Sequence, residues 1–308
     1  MDGSSHSPTI SIIVVSFNTR EMTLACLGSI VKQGGAHTYE VLVVDNASTD
    51  GSAAAIQAAY GDDARFQLNL GSDNLGFAAA NNLAVKDARG TFVLLLNPDT
   101  VVLDHALDQL VDFALERPKN KIWGGRTVFG DGSLNPMSCW GRMTLWSVFS
   151  RQSGLRRFFA GSRLFDARAM ASWKRDSVRE VAIVTGCLFL IERSFWNELN
   201  GFDPAFFMYG EESDLCMRAT ALGARPIITP DATIVHYGAA SDTVKEDKYV
   251  RLFSAELMFY ARHFSRLSSS TARWLMLAGT WGRAMSMRLL GRRESAWIGI
   301  WNRRKEWS

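Results

Sequence analysis

Apolar residues in the first 120 positions come in short unbroken runs, each followed by a polar loop and then by helical spacing. The runs are Thr9 to Val15, Val41 to Val44, the weaker Phe66 to Leu70, and Phe92 to Leu96. Runs this short and this apolar read as strands buried on both faces of a parallel sheet. Asn18 followed by Glu21 has the spacing of a capping box. It predicts a helix through Leu24, Leu27 and Ile30 to about Lys32, closed by Gly34-Gly35. An Ala-rich helix is expected to end near Tyr60, a third to run from Asn74-Leu75-Gly76 through Ala88 to a stop at Gly90, and a fourth from about Asp104 to Glu116. This alternation predicts an α/β chain with a doubly wound, mostly parallel sheet. Three strand ends, Ser16-Phe17-Asn18, Asp45-Asn46 and Asn97-Pro98-Asp99, are expected to open into one crevice.

Beyond Glu116 the pattern loosens. From Ile122 to about Val178 it offers a hairpin turn at Gly130-Asp131-Gly132 and many aromatic and basic residues. Trp140, Trp146 and Trp173 are expected mainly in the core, the alternative being an apolar platform for a substrate. Val181 to Ile191 is apolar again, broken at Thr185-Gly186. A helix is expected from Glu211 through Arg218 to Leu222, capped by Gly223, then strands at Pro226 to Thr229 and Ala232 to Val235. Lys245 to about His263 has helical spacing.

Composition changes this picture at the C-terminus. The 308 residues carry a net charge of +3, but Arg251 to Ser308 holds eleven Lys/Arg against three Glu, and five of the ten Trp. Basic residues mixed with Trp and Leu suit a helix lying in a membrane interface; the competing arrangement is a helical hairpin packed on the catalytic domain or on a second copy in a homodimer. No recognisable nucleic-acid module is present. The four cysteines are scattered, with no CxxC, and read as buried reduced thiols. Met1 to Pro8 lacks the features of a signal peptide and no apolar run is long enough to span a bilayer, so the chain is expected in the cytoplasm. GxGxxG and GxxxxGK[ST] are both absent.

Candidate chemistry gathers at two places. Pro98 ends the run Phe92 to Leu96, which delivers Asp99 to the carboxyl end of a central strand. Asn97 and Asp99 there are either plain turn residues or a hard oxygen donor for Mg²⁺ or Mn²⁺ carrying a phosphate-containing substrate. Glu211, Glu212 and Asp214 crowd a helix N-terminus, where the dipole favours carboxylates and where crowding can raise one pKa into the range of a general base. His236, after a strand, fits either a satisfied histidine or a metal ligand.

Five blocks in order resemble glycosyltransferase family 2, most of all its bacterial rhamnosyltransferase branch: Ile12 to Asn18, Val43 to Gly51, Asn74 to Phe77, Leu95 to Asp99, and Phe207 to Arg218. The resemblance covers about Thr9 to Tyr237. It implies a GT-A fold and inverting transfer of a sugar, by the branch L-rhamnose from dTDP-rhamnose, to a lipid-linked or polysaccharide acceptor in bacterial cell-surface glycan synthesis. It further implies that Ser16, Asn18, Asp45, Asn74, Gly76, Asn97 and Asp99 bind the nucleotide sugar, with Asp45 at the nucleobase. By the same resemblance Asp99 and His236 hold Mg²⁺ or Mn²⁺, Glu212 is the catalytic base, and Asp214 lies close to the acceptor. The family's DXD motif is Asn97-Pro98-Asp99 here, and its usual Asp base is Glu, so Glu211, Glu212 and Asp214 all remain in play. The expected layout is a catalytic domain over 1–240, with a nucleotide-sugar half at about 9–120 and an acceptor half at about 121–240, and a basic helical extension over 241–308 at the inner face of the membrane. The alternative is an inactive GT-A domain that binds a nucleotide sugar or glycan as an assembly partner.

Overall fold

A computed structural model of the chain describes residues 7–33, 35–238 and 244–308. Strand β1 (Ile10–Ser16), buried along its whole length, is the hub of a parallel half-sheet. It pairs in parallel with β2 (Tyr39–Asp45), which in turn pairs with β3 (Phe66–Leu70), and on its other side with β4 (Phe92–Leu96). Helices α1 (Arg20–Gln33), α2 (Ser52–Tyr60) and α4 (Ala106–Glu116) bury their apolar faces against one side of this sheet, and α3 (Gly76–Asp87) against the other. The continuous apolar runs are continuous because both faces are covered.

β4 is the seam. Past it the sheet turns mixed; the strands that follow in the chain are β5 (Thr100–Val102), β6 (Ile122–Val128), β7 (Leu134–Asn135), β8 (Cys139–Trp140), β9 (Arg179–Glu180), β10 (Ile183–Val184), β11 (Leu188–Glu192) and β12 (Ile227–His236), all in this sheet except β8 and β10. β11 runs antiparallel between β4 and β6, and β12 pairs with β6 in parallel and with β5 in antiparallel register. β8 and β10 form a separate two-stranded ribbon. The two strands expected at Pro226 to Thr229 and Ala232 to Val235 are one bulged strand, β12.

Helices α5 (Leu145–Gln152) and α6 (Leu155–Phe158) lie in the segment whose pattern is least regular, and α7 (Arg193–Glu198) and α8 (Glu211–Ala221) cover the α3 face of the sheet. The C-terminal helices are α9 (Lys245–His263), α10 (Arg266–Leu289), α11 (Ala296–Asn302) and α12 (Arg304–Trp307). They share a third core with the α5 region, including Val148, Phe253, Phe259, Met276, Ile300 and Trp307. The extension is thus packed on the rest of the chain. Gly34, and the 240/241 division between domain and extension, lie outside the described residues.

Two local expectations fail. Asn18 does not cap α1: it sits in the left-handed region at φ 52, and its side chain accepts from the Thr49 amide at 2.7 Å. Asp50, from the loop after β2, instead accepts from the first helical amide, Arg20, at 3.0 Å. The neighbouring loop is close enough to supply the cap, which no local spacing encodes. Of the three tryptophans only Trp173 is buried; Trp146 is 44% exposed and Trp140 lines the cleft described next. All four cysteines are free and buried, as expected.

Candidate active site

The carboxyl ends of β1, β2 and β4 open into one cleft of about 620 Å³, lined on that side by Phe17, Asn46, Asn74, Asn97 and Asp99. The opposite wall comes from the Thr185-Gly186-Cys187 turn, the start of α8, the segment around α5 and α6, and α9.

Strand register brings the proposed metal ligands together. Thr100 on β5 lies opposite His236 on β12, and the Tyr237 amide donates to the Asp99 carbonyl at 3.0 Å. The His236 Nε2 therefore reaches the Asp99 Oδ1 at 3.5 Å, although 137 positions separate them in the chain. Both side chains are buried. Burial opposes a charged imidazole, but the Cys187 sulfur and the Asp99 carboxylate pull the other way and carry His236 up to about 10. A cation binding there would displace that proton.

The donor set fits such a cation. Asn97 Oδ1, two positions before Asp99 and lining the same cleft, is buried with no hydrogen-bond partner, the kind of orphaned atom that calls for an explanation. Among the described residues no cluster of three or more His, Cys, Asp or Glu could hold a metal. Two protein ligands, with phosphate oxygens and water filling the remaining positions, is the usual way Mg²⁺ is bound.

Across the cleft, Gly210 at φ 89 turns the chain into α8, so that Glu211 and Glu212 stand at its first two positions facing the cavity. Their carboxyls hydrogen-bond one another, and one must carry the proton. Burial raises both, and the Glu212 charge raises Glu211 further. Glu212 also accepts from the Gly186 amide, which pulls the other way. A buried carboxyl pair of this kind is suited to general base work.

Asp214 is placed elsewhere. It does not line the cleft; its carboxylate accepts from Arg218 Nε at 2.7 Å and from His263 Nε2 at 2.8 Å. Burial raises its pKa, but these two partners outweigh burial and hold it below the usual carboxylate range. Its position near the acceptor, implied by the family motif, becomes that of a clamp joining α8 to the end of α9.

The nucleotide-side residues divide in the same way. Asn74, Asn97 and Asp99 line the cleft, whereas Ser16, Asn18, Asp45 and Gly76 stand behind it. The Ser16 hydroxyl bonds Thr23 within α1 at 3.0 Å. Asn18 bridges to the loop at Thr49. Asp45 accepts from the Ser48 amide at 2.9 Å, and its buried Oδ2 has no hydrogen-bond partner. Gly76, at φ 78, passes so close to the Phe207 carbonyl that a Cβ would lie 2.4 Å from it. There Phe77 N–H donates to the same carbonyl at 2.8 Å and latches the two walls together. Asn46 orders this corner, donating to Asn74 Oδ1 at 2.8 Å and accepting from the Leu75 amide at 2.9 Å.

Trp140, offered by the sequence as core or as a substrate platform, lines this wall; sequence reading missed the rest of it: Arg151, Arg156, Arg168, Lys248 and Glu256, with Met143 and Phe259. The signal available was composition alone, a basic and aromatic excess with no periodicity to place it.

The sequence model of glycosyl transferase family 2 matches residues 11–182, more than half of the chain. The chain is similar to the O-antigen biosynthesis protein RfbC of Myxococcus xanthus, 27% identical over 253 residues that cover 81% of this chain and 19% of that one. It is also 27% identical over 212 residues to the N-acetylglucosaminyl-diphospho-decaprenol L-rhamnosyltransferase of Mycobacterium tuberculosis, covering 65% of this chain and 67% of that one. The chain thus spans about a fifth of the first relative and two thirds of the second. Among solved structures it resembles the mannosyltransferase PcManGT of Pyrobaculum calidifontis in complex with GDP-Man and Mn²⁺, with a TM-score of 0.59 and 19% identity over 92% of this chain and 76% of that one. That likeness shows a GT-A fold, and with the family model it establishes that the chain belongs to glycosyl transferase family 2.

Proposed function

We propose that the protein is an inverting, metal-dependent glycosyltransferase that moves a sugar from a nucleoside-diphosphate donor to a lipid-linked or polysaccharide acceptor. The observation that carries this reading is the pairing of Asp99 with His236 on one wall of a cleft whose other wall presents the Glu211–Glu212 carboxyl pair. Asp99 and His236 would hold Mg²⁺ or Mn²⁺, which supplies Lewis-acid stabilisation to the departing diphosphate. Asn74 and Asn97 orient the donor, and Asp45 offers its unpaired oxygen to the nucleobase. Glu212 takes the proton from the acceptor hydroxyl, with Glu211 holding the shared proton beside it. One base on the face opposite the leaving group gives a single displacement with inversion. A retaining glycosidase instead needs two carboxyls about 5 Å apart flanking the bond.

The Mycobacterium tuberculosis relative is named for L-rhamnosyl transfer to a diphospho-decaprenol lipid, and this supports L-rhamnose from dTDP-rhamnose as donor, in cell-surface glycan synthesis. The mannosyltransferase with the similar fold holds Mn²⁺, which supports the cation. No helix among the described residues is long and apolar enough to cross a membrane. The outer face of α10, with Trp274 at 65% and Leu267 at 79% exposure between arginines, supports a peripheral position at the inner face of the membrane.

Release of nucleoside diphosphate from dTDP-rhamnose and related sugars in Mn²⁺, compared with excess chelator, tests the reaction. Asp99→Ala is expected to abolish it, and full turnover in chelator would exclude the metal role. Flotation with anionic liposomes at low salt tests the surface: Trp274→Ser with Trp281→Ser is expected to reduce it, and a wild-type chain that never floats leaves α10 as a packing element only.

A further inference from the structure

The α5–α6 segment puts large apolar side chains on the outside. Phe158 is 80% exposed and Leu164 59%, and Trp146, Phe149 and Phe159 are also exposed. The rings form one surface: Trp146 meets Phe149 and Phe165 at centroid distances of 5.3 and 5.7 Å, and Phe165 stacks on Phe159 at 4.8 Å. The backbone beneath is anchored. The Ser150 hydroxyl donates to the Phe165 carbonyl at 2.6 Å, Trp146 Nε1 to the Leu164 carbonyl at 2.8 Å, and the Gly161 amide to the Asp166 carboxylate at 3.1 Å. A folded unit thus holds these side chains outward, and a contiguous exposed apolar patch of this kind marks an interaction site.

Charge narrows the partner. From Thr144 to Phe165 there are four Arg and no Asp, Glu or Lys. Arg151 is matched by Glu256 and Arg156 by Asp166. Arg157 and Arg163 are exposed, and neither has a carboxylate partner among the described residues. A second copy turned onto this face would set these charges against their own counterparts, which is costly. A neutral glycan would stack on the rings but gain nothing from the two arginines or from Leu164. An anionic lipid surface uses every part: Phe and Leu enter the acyl boundary, Trp sits at headgroup level, and the guanidiniums meet lipid phosphates. The patch also adjoins the cleft, since Arg151 of α5 and Arg156 of α6 line the acceptor wall.

We propose that the α5–α6 segment is a membrane-contact surface, docking on an anionic phospholipid bilayer through Phe158, Phe159 and Leu164 together with Arg157 and Arg163, beside the cleft. It is separate from the outer face of α10. Its use, letting a lipid-linked acceptor reach Glu212 from the bilayer, rests on the transfer reading; the surface itself does not.

Sedimentation with vesicles of phosphatidylcholine and phosphatidylglycerol tests it without turnover. The full chain should bind the mixed vesicles at low salt and pure phosphatidylcholine far less. Arg157→Gln with Arg163→Gln should weaken binding by about 30-fold, about 5-fold for each charge at an anionic surface, and high salt should remove most of that difference. Phe158→Ser with Phe159→Ser should weaken it by at least about 10-fold. Melting curves should match the wild type, because these side chains are exposed. Hydrogen exchange over 155–165 should slow when vesicles are added. No binding by the wild-type chain, or binding unchanged by both pairs of substitutions, overturns the proposal. Protection over 266–289 without protection over 155–165 would assign the contact to α10 and overturn it too. So would protection of 155–165 that follows protein concentration in the absence of vesicles, which would make the patch an interface between copies. Vesicle binding that depends on these residues, in a chain that releases no nucleoside diphosphate, would instead count against the transfer reading and leave the surface in place.

Discussion

The donor wall and the acceptor wall meet at one cleft but are built differently. The donor wall is made of loops three to six residues long at the ends of parallel strands, so its chemistry is fixed by where strands stop. The acceptor wall is assembled from the Thr185-Gly186-Cys187 turn, α8, the α5–α6 segment and α9, which lie far apart in the chain, and its chemistry depends on how those pieces pack. The donor wall holds a carboxylate and an imidazole and no cationic side chain among its lining residues; the acceptor wall holds a protonated carboxyl pair and a cluster of arginines. Strand ends can present a ligand with little support, whereas a buried acid pair and two arginines around one carboxylate need surrounding packing to hold them.

The largest effect should come from removing the acid–base group alone. Glu212→Gln keeps shape and hydrogen bonding, so donor affinity should persist while turnover falls by roughly 10²–10⁴, the usual worth of a general base. Binding titrations and single-turnover rates read the two separately. If Glu212→Gln turns over normally while Glu211→Gln does not, the base is the neighbouring carboxyl.

Next comes the support beneath it. Asp214→Ala leaves His263 and Arg218 without their shared carboxylate, and loss of one partner from a buried ion pair is costly. Arg218 keeps its bonds to the Leu199 and Gly201 carbonyls, so a loss near the lower end of that range, about 3 kcal/mol, is expected in denaturant unfolding. The comparison between walls predicts that this loss is read in stability and not in donor affinity. A donor affinity that falls with it would show that the walls are not independent.

The smallest effect is a pH dependence confined to the acceptor wall. Burial raises the Glu211 and Glu212 pKa values, so the folded chain keeps a proton that the unfolded chain has already released. Stability from this pair is therefore present below the unfolded carboxyl pKa and is lost as pH rises towards the raised folded value. Turnover should move the opposite way, rising as Glu212 ionises while Glu211 keeps its proton. Melting temperature against pH, compared with Glu211→Gln, checks the sign: the variant should show the shallower decline.

The sequence by itself determined the parallel half, the strand ends that form the donor wall, and the carboxylates that open α8. These follow from local rules: a short apolar run bounded by proline ends a strand, and clustered carboxylates suit the start of a helix. Tertiary structure alone decided the rest. His236 meets Asp99 only because β12 pairs with β5 in one register. Asn18 loses its capping role because Asp50 arrives from the next loop. Asp214 is a clamp and Glu212 a cleft residue, although only two positions separate them, because those positions point to opposite sides of a helix and α9 covers one of them. The arginine cluster was invisible for the same reason: Arg151, Arg168 and Glu256 have no local relation, and only packing of α9 against the α5 region brings one carboxylate between two guanidiniums.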